Sequence, residues 1–472
     1  MVKKNTWETY SSKQLKELEK INAQYRDFLD NGKTERECID TIVNTIEKSG
    51  YRELESLIKE GTALKTGDKV YSVWMNKSIA MFQIGRKPMT EGMNILGAHI
   101  DSPRLDVKQN PLYEDGGFAY LDTHYYGGVK KYQWVTIPLA IHGVIVKKDG
   151  TCVEINIGEN EDDPVFFVSD LLIHLAQEQL EKKAAKVIEG EALDIIVGNK
   201  PLLIDKKDKK KDEKEAGKEA VKAGVLDILK ETYDIHEEDF VSAELEIVPA
   251  GKAREAGFDR SMTLAYGQDD RVCAYTSMQA MLDSDVTDRT MCCILVDKEE
   301  IGSVGATGMQ SHFFENAVAE VMNLTGEYSE LHVRRCLAHS CMLSSDVSSA
   351  FDPTYASSFD KKNVAYLGGG MVINKFTGAR GKSGSNDANA EYLAHLRHIF
   401  DKAEVNFQTA ELGKVDLGGG GTIAYILALY GMNVIDSGVA VLNMHAPWEA
   451  VSKADVYETK RGYVAFLKGA AI

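Results

Sequence analysis

The sequence predicts an α/β fold: a mainly parallel mixed sheet sandwiched by helices and interrupted by a smaller β-rich inserted domain. Three observations predict it. Strongly apolar runs such as Met93-Asn-Ile-Leu-Gly-Ala-His99 and Met291-Cys-Cys-Ile-Leu-Val296 alternate with helix-period segments at both ends of the chain. Alternation of this kind builds a sheet covered by helices on both faces. Between about 109 and 248 the character changes to strand-like pieces separated by turns, which marks an insert. The composition is globular, with 44% hydrophobic and 27% charged residues among 472, unlike the polar, highly charged mixture of a disordered chain. The expected division is therefore 1–108 with 249–472 as a discontinuous main domain, and 109–248 as the insert.

The elements follow in order. Thr6–Phe28 lacks Gly and Pro and places Leu15, Leu18, Ile21 and Tyr25 at helical spacing. A second helix covers about Glu35–Lys48, opened by Thr34 and Glu37 at capping-box spacing. Tyr71–Met75, Ser78–Ile84 and Met93–His99 read as strands, the last apolar enough for the sheet interior. In the insert, Trp134–Val146 and Thr151–Ile157 read as strands and Asp115-Gly-Gly117 as a turn. The lysine-rich run Asp205–Lys222 alternates charge and reads as a solvated loop or an exposed helix. After Gly251, helices are expected at Val272–Leu282, Gln310–Val321, Glu391–Phe400 and Gly421–Tyr430. Strands are expected at Met291–Val296, Leu337–Leu343 and Ser437–Asn443.

Charge narrows the partners. The chain carries 55 Lys and Arg against 72 Asp and Glu, a formal net charge of −17. Nucleic acids and anionic membranes would repel it. No apolar run approaches the roughly 20 residues that span a bilayer. Met1–Glu19 is polar and lacks the apolar core of a signal peptide, so a cytoplasmic address is expected. Seven cysteines, an odd number with no CxxC pair, imply neither a disulfide framework nor a zinc ribbon. Cys292 and Cys293 sit in an apolar run and read as buried thiols.

The chemistry collects where apolar runs end. Gly97 leads into His99 and Asp101. Val296 leads into Asp297, Glu299 and Glu300. Leu343 leads into Ser344, Ser345 and Asp346, and Asn443 into His445. Asp269-Asp270-Arg271 precedes a helix. Open α/β sheets build their sites at the carboxyl ends of strands. Two imidazoles and several carboxylates at one such edge suit zinc, manganese or cobalt. Crowded carboxylates in a buried site need cations to stay ionised. Two metals about 3.5–4 Å apart would share a carboxylate. His99 and His445 are the nitrogen donors, and Asp101 can hydrogen-bond the His99 ring. Each feature has a plainer reading: a lone His capping a strand, a carboxylate pair on a turn, Asp269 as a helix cap. The glycine run Gly418–Gly421 either holds a substrate carbonyl or lets a helix approach the sheet. Gly381-Lys382-Ser383 fails as a phosphate loop, because Phe376 stands where that motif needs glycine.

Five ordered segments carry a resemblance: Gly97-Ala-His-Ile-Asp-Ser-Pro-Arg104, Asp269-Asp-Arg271, Asp297-Lys-Glu-Glu-Ile-Gly-Ser303, Ser344-Ser-Asp-Val-Ser-Ser-Ala350 and Asn443-Met-His-Ala-Pro447. Together they resemble the dinuclear metallo-aminopeptidases of the aspartyl aminopeptidase and aminopeptidase I family, in particular bacterial members. The resemblance implies two divalent metal ions per subunit, with zinc first and manganese or cobalt as alternatives. It implies that His99 and Asp346 hold one ion, that Glu300 and His445 hold the other, and that Asp269 bridges them. Glu299 is then the general base and Asp101 orients His99. The implied substrate is a peptide with a free N-terminus, and the implied assembly is a homo-oligomer, a tetrahedral dodecamer, with contacts through the insert. Where aspartyl-specific members carry an acid–basic stretch, Trp134 is followed here by Val-Thr-Ile. His174, beside Asp170, is the nearest match to the histidine such enzymes lend to a neighbour. Lys375, Arg380 and Lys382 either pair with an acidic substrate side chain or form a solvated basic loop. A dinuclear carboxypeptidase or amide deacylase is the alternative within hydrolases. A non-catalytic relative retaining the shell is the alternative outside them.

Overall fold

A computed structural model describes residues 5–202, 219–378 and 380–471. Most of the lysine-rich run therefore lies outside the described residues. The chain divides into two compact units. One comprises 1–102, 253–444 and 448–472, and the other 103–252 with 445–447. The divisions fall outside 109 and 248 because those positions lie within continuous strands, Arg104–Asp115 and Ala243–Pro249.

The larger unit is built on a nine-stranded mixed sheet. Its centre is four parallel strands in the order Thr290–Val296, Met93–His99, Cys341–Ser345 and Asn433–Gly438. Register places His99 opposite Val296 and Gly97 opposite Ser344. The segments after Val296, His99 and Ser345 therefore leave from one edge of the sheet. Alternate residues feed opposite faces. Leu96, Cys293, Leu343 and Ile435 pack with the helices Ser12–Asp30, Glu35–Glu47, Gln268–Leu282 and Lys453–Gly469. Ile95, Cys292, Met342 and Val434 pack with Leu54–Glu60, Phe313–Leu324 and Glu330–Ala338 on the other face. The mixed, helix-covered sheet is the expected class. A smaller five-stranded sheet carries Met262–Ala265 and Glu449–Ser452 beside it. Both N-terminal helices start with the reciprocal side-chain caps that Ser11/Gln14 and Thr34/Glu37 provide.

Several boundaries differ from the sequence reading; the helix expected at Gln310–Val321, for one, covers Phe313–Leu324. Leu337 lies in the last turn of the helix Glu330–Ala338, and the strand begins only at Cys341. The helix expected at Gly421–Tyr430 covers only Ala424–Ala428. The run Ser437–Asn443 splits into the ends of two strands, Asn433–Gly438 and Ala440–Leu442.

The second unit is a six-stranded antiparallel sheet in the order Cys152–Ile157, Leu139–Val146, Ala243–Pro249, Arg104–Asp115, Phe118–Tyr126 and Ile195–Gly198. Gly116 and Gly117 turn the Arg104–Asp115 and Phe118–Tyr126 hairpin. Trp134 is fully buried but precedes its expected strand, because Thr136 is left-handed (φ 61) and Pro138 follows. No helix among the described residues is long and apolar enough to cross a membrane.

Candidate metal centre

The centre is organised by Asp101, which is fully buried. One carboxylate oxygen accepts the Glu299 backbone N–H and the other accepts that of Glu300, both at 3.1 Å. The same carboxylate lies 3.2 Å from His99 Nδ1, and the Asp101 carbonyl lies 3.0 Å from it. These two acceptors assign the ring proton to Nδ1 and leave the Nε2 lone pair for the site. Nε2 lies 3.4 Å from Asp269 Oδ1 and 3.9 Å from Glu299 Oε2. One ligand atom from each of His99, Asp269 and Asp346 lies within 4.8 Å of the others.

The local backbone makes this convergence possible. Lys298 (φ 68) and Ser303 (φ 58) are left-handed, so the chain leaves its strand abruptly and turns the Glu299 and Glu300 amides toward Asp101. Asp297 braces the same loop, accepting the Thr307 hydroxyl at 2.5 Å and Lys298 Nζ at 2.7 Å. Asp269 is held on both sides. Its N–H donates to Glu449 Oε2 at 2.9 Å and its carbonyl accepts the Ser102 hydroxyl at 2.7 Å. Arg271 ties this turn to the His99 segment by donating to the Ile100 carbonyl at 3.2 Å and the Lys33 carbonyl at 2.7 Å. Gly267 (φ 68) precedes it, and a Cβ there would stand 1.9 Å from Arg271 Nη1.

Electrostatics match a cation site. Burial pushes the Asp346 carboxyl well above the usual carboxylate range, and Asp270, Glu299 and Asp269 push it further. Asp270 is raised by burial and by Asp269, against the opposing pull of His99. Burial disfavours a charged His99, but Asp101 and Asp269 outweigh it and raise its proton affinity. Carboxylates crowded this closely are relieved by a divalent ion, and an imidazole nitrogen with carboxylate oxygens is a zinc donor set. The residues present fit such an ion.

His445 follows the strand Ala440–Leu442 in a left-handed conformation (φ 64) and groups with the second unit. There its Nδ1 lies 3.0 Å from the Gly128 carbonyl. His174 sits in the exposed turn Ile173–Leu175. Lys382 Nζ lies 2.8 Å from Asp387, and Lys375 pairs with the same carboxylate.

A family model described as aminopeptidase I zinc metalloprotease (M18) matches residues 28–467. The chain belongs to the M18 family. A probable M18 family aminopeptidase 1 of Clostridium acetobutylicum is 64% identical, covering 98% of each chain. Its counterpart from Thermotoga maritima is 44% identical over 99% of this chain and 98% of its own. The crystal structure of the Thermotoga maritima M18 aminopeptidase superposes with a TM-score of 0.92 at 43% identity, covering both chains fully. That of aminopeptidase I from Clostridium acetobutylicum gives 0.89 at 61% identity, covering 98% and 99%. This M18 chain is thus a metallo-aminopeptidase of a zinc family, a hydrolase acting on peptides.

Sequence reasoning missed two supports of the M18 centre. Glu449 is buried and holds the Asp269 amide, yet lies 180 residues away with no motif of its own. Ser102 was visible only as part of the segment that carries His99.

Proposed function

We propose that this M18 aminopeptidase removes the first residue from peptides with a free N-terminus, using two divalent cations, zinc by preference. His99 and Asp346 hold one, Glu300 and His445 hold the other, and Asp269 is shared. The observation that carries this reading is that His99, Asp269 and Asp346, from three motifs far apart in the chain, each bring one ligand atom within 4.8 Å of the others. Such a pair of cations supplies Lewis acidity toward a carbonyl oxygen and lowers the pKa of water.

The chain's own residues do the proton work. Glu299 takes a proton from the attacking water and passes it to the leaving nitrogen. Its carboxylate stands 3.9 Å from His99 Nε2, and its backbone N–H donates to Asp101. Asp101 fixes the His99 tautomer and the course of the Glu299–Glu300 turn. Lys375 and Lys382 share Asp387, which offsets one of their two charges. The test is Glu299→Gln: turnover should fall at least about a thousandfold while metal content stays unchanged. Full turnover in that variant would remove Glu299 from the role. Acetylating the substrate's N-terminus separates this activity from a deacylase, which would accept the blocked peptide.

Self-association through the insert belongs to the same proposal, with a dodecamer as the expected size. Its support is the exposed apolar run Leu171, Leu172, Ile173 and Leu175 around His174. The mass in solution tests it. A cytoplasmic site of action completes the reading.

A further inference from the structure

Asp436 is a buried carboxylate, 2% exposed, that the chemistry above does not use. It lies in Asn433–Gly438, opposite Ser344 on one side and Asn374 on the other. Its Oδ1 accepts the Thr422 hydroxyl at 2.6 Å, and Thr422 Oγ1 accepts the Ala424 N–H at 3.2 Å. Thr422 ends the glycine run Gly418–Gly421. A carboxylate buried at a cost is thus spent on fixing where that run stops. Burial also pushes Asp436 up to about 7, with Glu299 among the charges that contribute.

The run is tied to the segments that carry the site. Ile423 Cδ1 lies 3.2 Å from where a Cβ on Gly97 would stand, two residues before His99. Tyr425 and the Gly302 carbonyl are joined through Gln310 Nε2, at 3.3 and 2.9 Å, two residues past Glu300. The Gly420 N–H donates to Thr377 at 3.0 Å. Among the described residues, the amides of Gly419 and Gly421 donate to no backbone carbonyl, and Gly421 is exposed. Two such amides, on either side of Gly420 in a run that is half-buried at Gly419 and exposed at Gly420 and Gly421, suit an extended peptide, because main-chain donors accept any side chain.

We propose that Gly419 and Gly421 bind a main-chain carbonyl of the substrate beyond the scissile bond, and that Asp436, acting through Thr422, is the positioning residue for that contact. This rests on the two-cation reading. There the first residue's amino and carbonyl groups face the cations, so the first carbonyl left for a protein amide is that of the second residue. The ligand class is a peptide of three residues or more, recognised by backbone and not by sequence.

The experiment compares a tetrapeptide with an aminoacyl 4-nitroanilide carrying the same first residue, both assayed with the zinc-loaded full chain. Thr422→Val should raise KM for the tetrapeptide and lower its kcat/KM relative to the anilide about five- to tenfold, the weight of one hydrogen bond. Thr422→Ser should restore the wild-type ratio, and Asp436→Asn should move it as Thr422→Val does. Equal losses on both substrates, or failure of Thr422→Ser to restore the ratio, would overturn the assignment and leave Asp436 a purely structural residue. Absence of turnover by the wild-type chain on both substrates would instead overturn the aminopeptidase mechanism beneath it.

Discussion

Asp101→Asn is the perturbation that reaches furthest into the centre. The carboxylate accepts two backbone N–H groups and faces His99 Nδ1, all while fully buried. An amide of the same shape keeps one acceptor and turns an NH2 toward the other backbone N–H. Losing one charge-assisted hydrogen bond and opposing two donors costs about 3 kcal/mol. At 1.36 kcal/mol per factor of ten, displacement of Glu299 by that amount is expected to lower kcat about a hundredfold. The weakened hold on the His99 tautomer should also reduce metal affinity, by roughly 10–100-fold. The assay is steady-state turnover at saturating zinc, with bound metal counted after dialysis and thermal melting as the check on folding. A variant that keeps kcat within about threefold of wild type at saturating zinc would show that Asp101 organises nothing the reaction needs.

Gly438→Ala should disturb the centre from behind. A Cβ there would stand 2.0 Å from the Asp346 carbonyl oxygen and 2.9 Å from Cys273 Sγ, so a loss of about 1–3 kcal/mol in stability together with lower metal content is expected from denaturation and metal analysis. Stability should also depend on pH through Asp455. Burial raises its carboxyl to about 8 from an ordinary 3.8, so the folded state binds the proton more tightly than the unfolded one. Its contribution is complete below about pH 4 and is lost as pH rises through 8. Asp455→Asn should flatten that slope in denaturation curves taken between pH 5 and 8, and an unchanged slope would assign the dependence elsewhere.

The legible part of the centre is the part that parallel strands deliver. His99 and Asp346 follow apolar runs that read as strands, and Glu299 follows another, so one sheet edge collects all three. What stayed hidden has local causes. The helix Lys453–Gly469 buries Lys453, Asp455, Glu458 and Thr459 along with its apolar face, which blurs the periodicity that would have announced it. Lys453 is matched by Glu19 and Glu255, both at 2.7 Å, partners that no window of sequence contains. The helix after the glycine run was overestimated because Thr422 is tied to Asp436 and receives the Ala424 N–H, so the helix begins only at Ala424. Glu449 acts on Asp269 across 180 residues, a contact that only the folded sheet creates.

The chain passes into the second unit along Arg104–Asp115 and returns along Ala243–Pro249, and these strands are antiparallel neighbours with Leu105 opposite Ile247. A module hung from two paired strands is attached as a hairpin is attached to its turn. Such a stem is a natural graft point. An exchange beyond it has to keep the segment that carries Gly128, whose carbonyl meets the His445 ring, and the ladder at the stem sets the register for whatever replaces the rest.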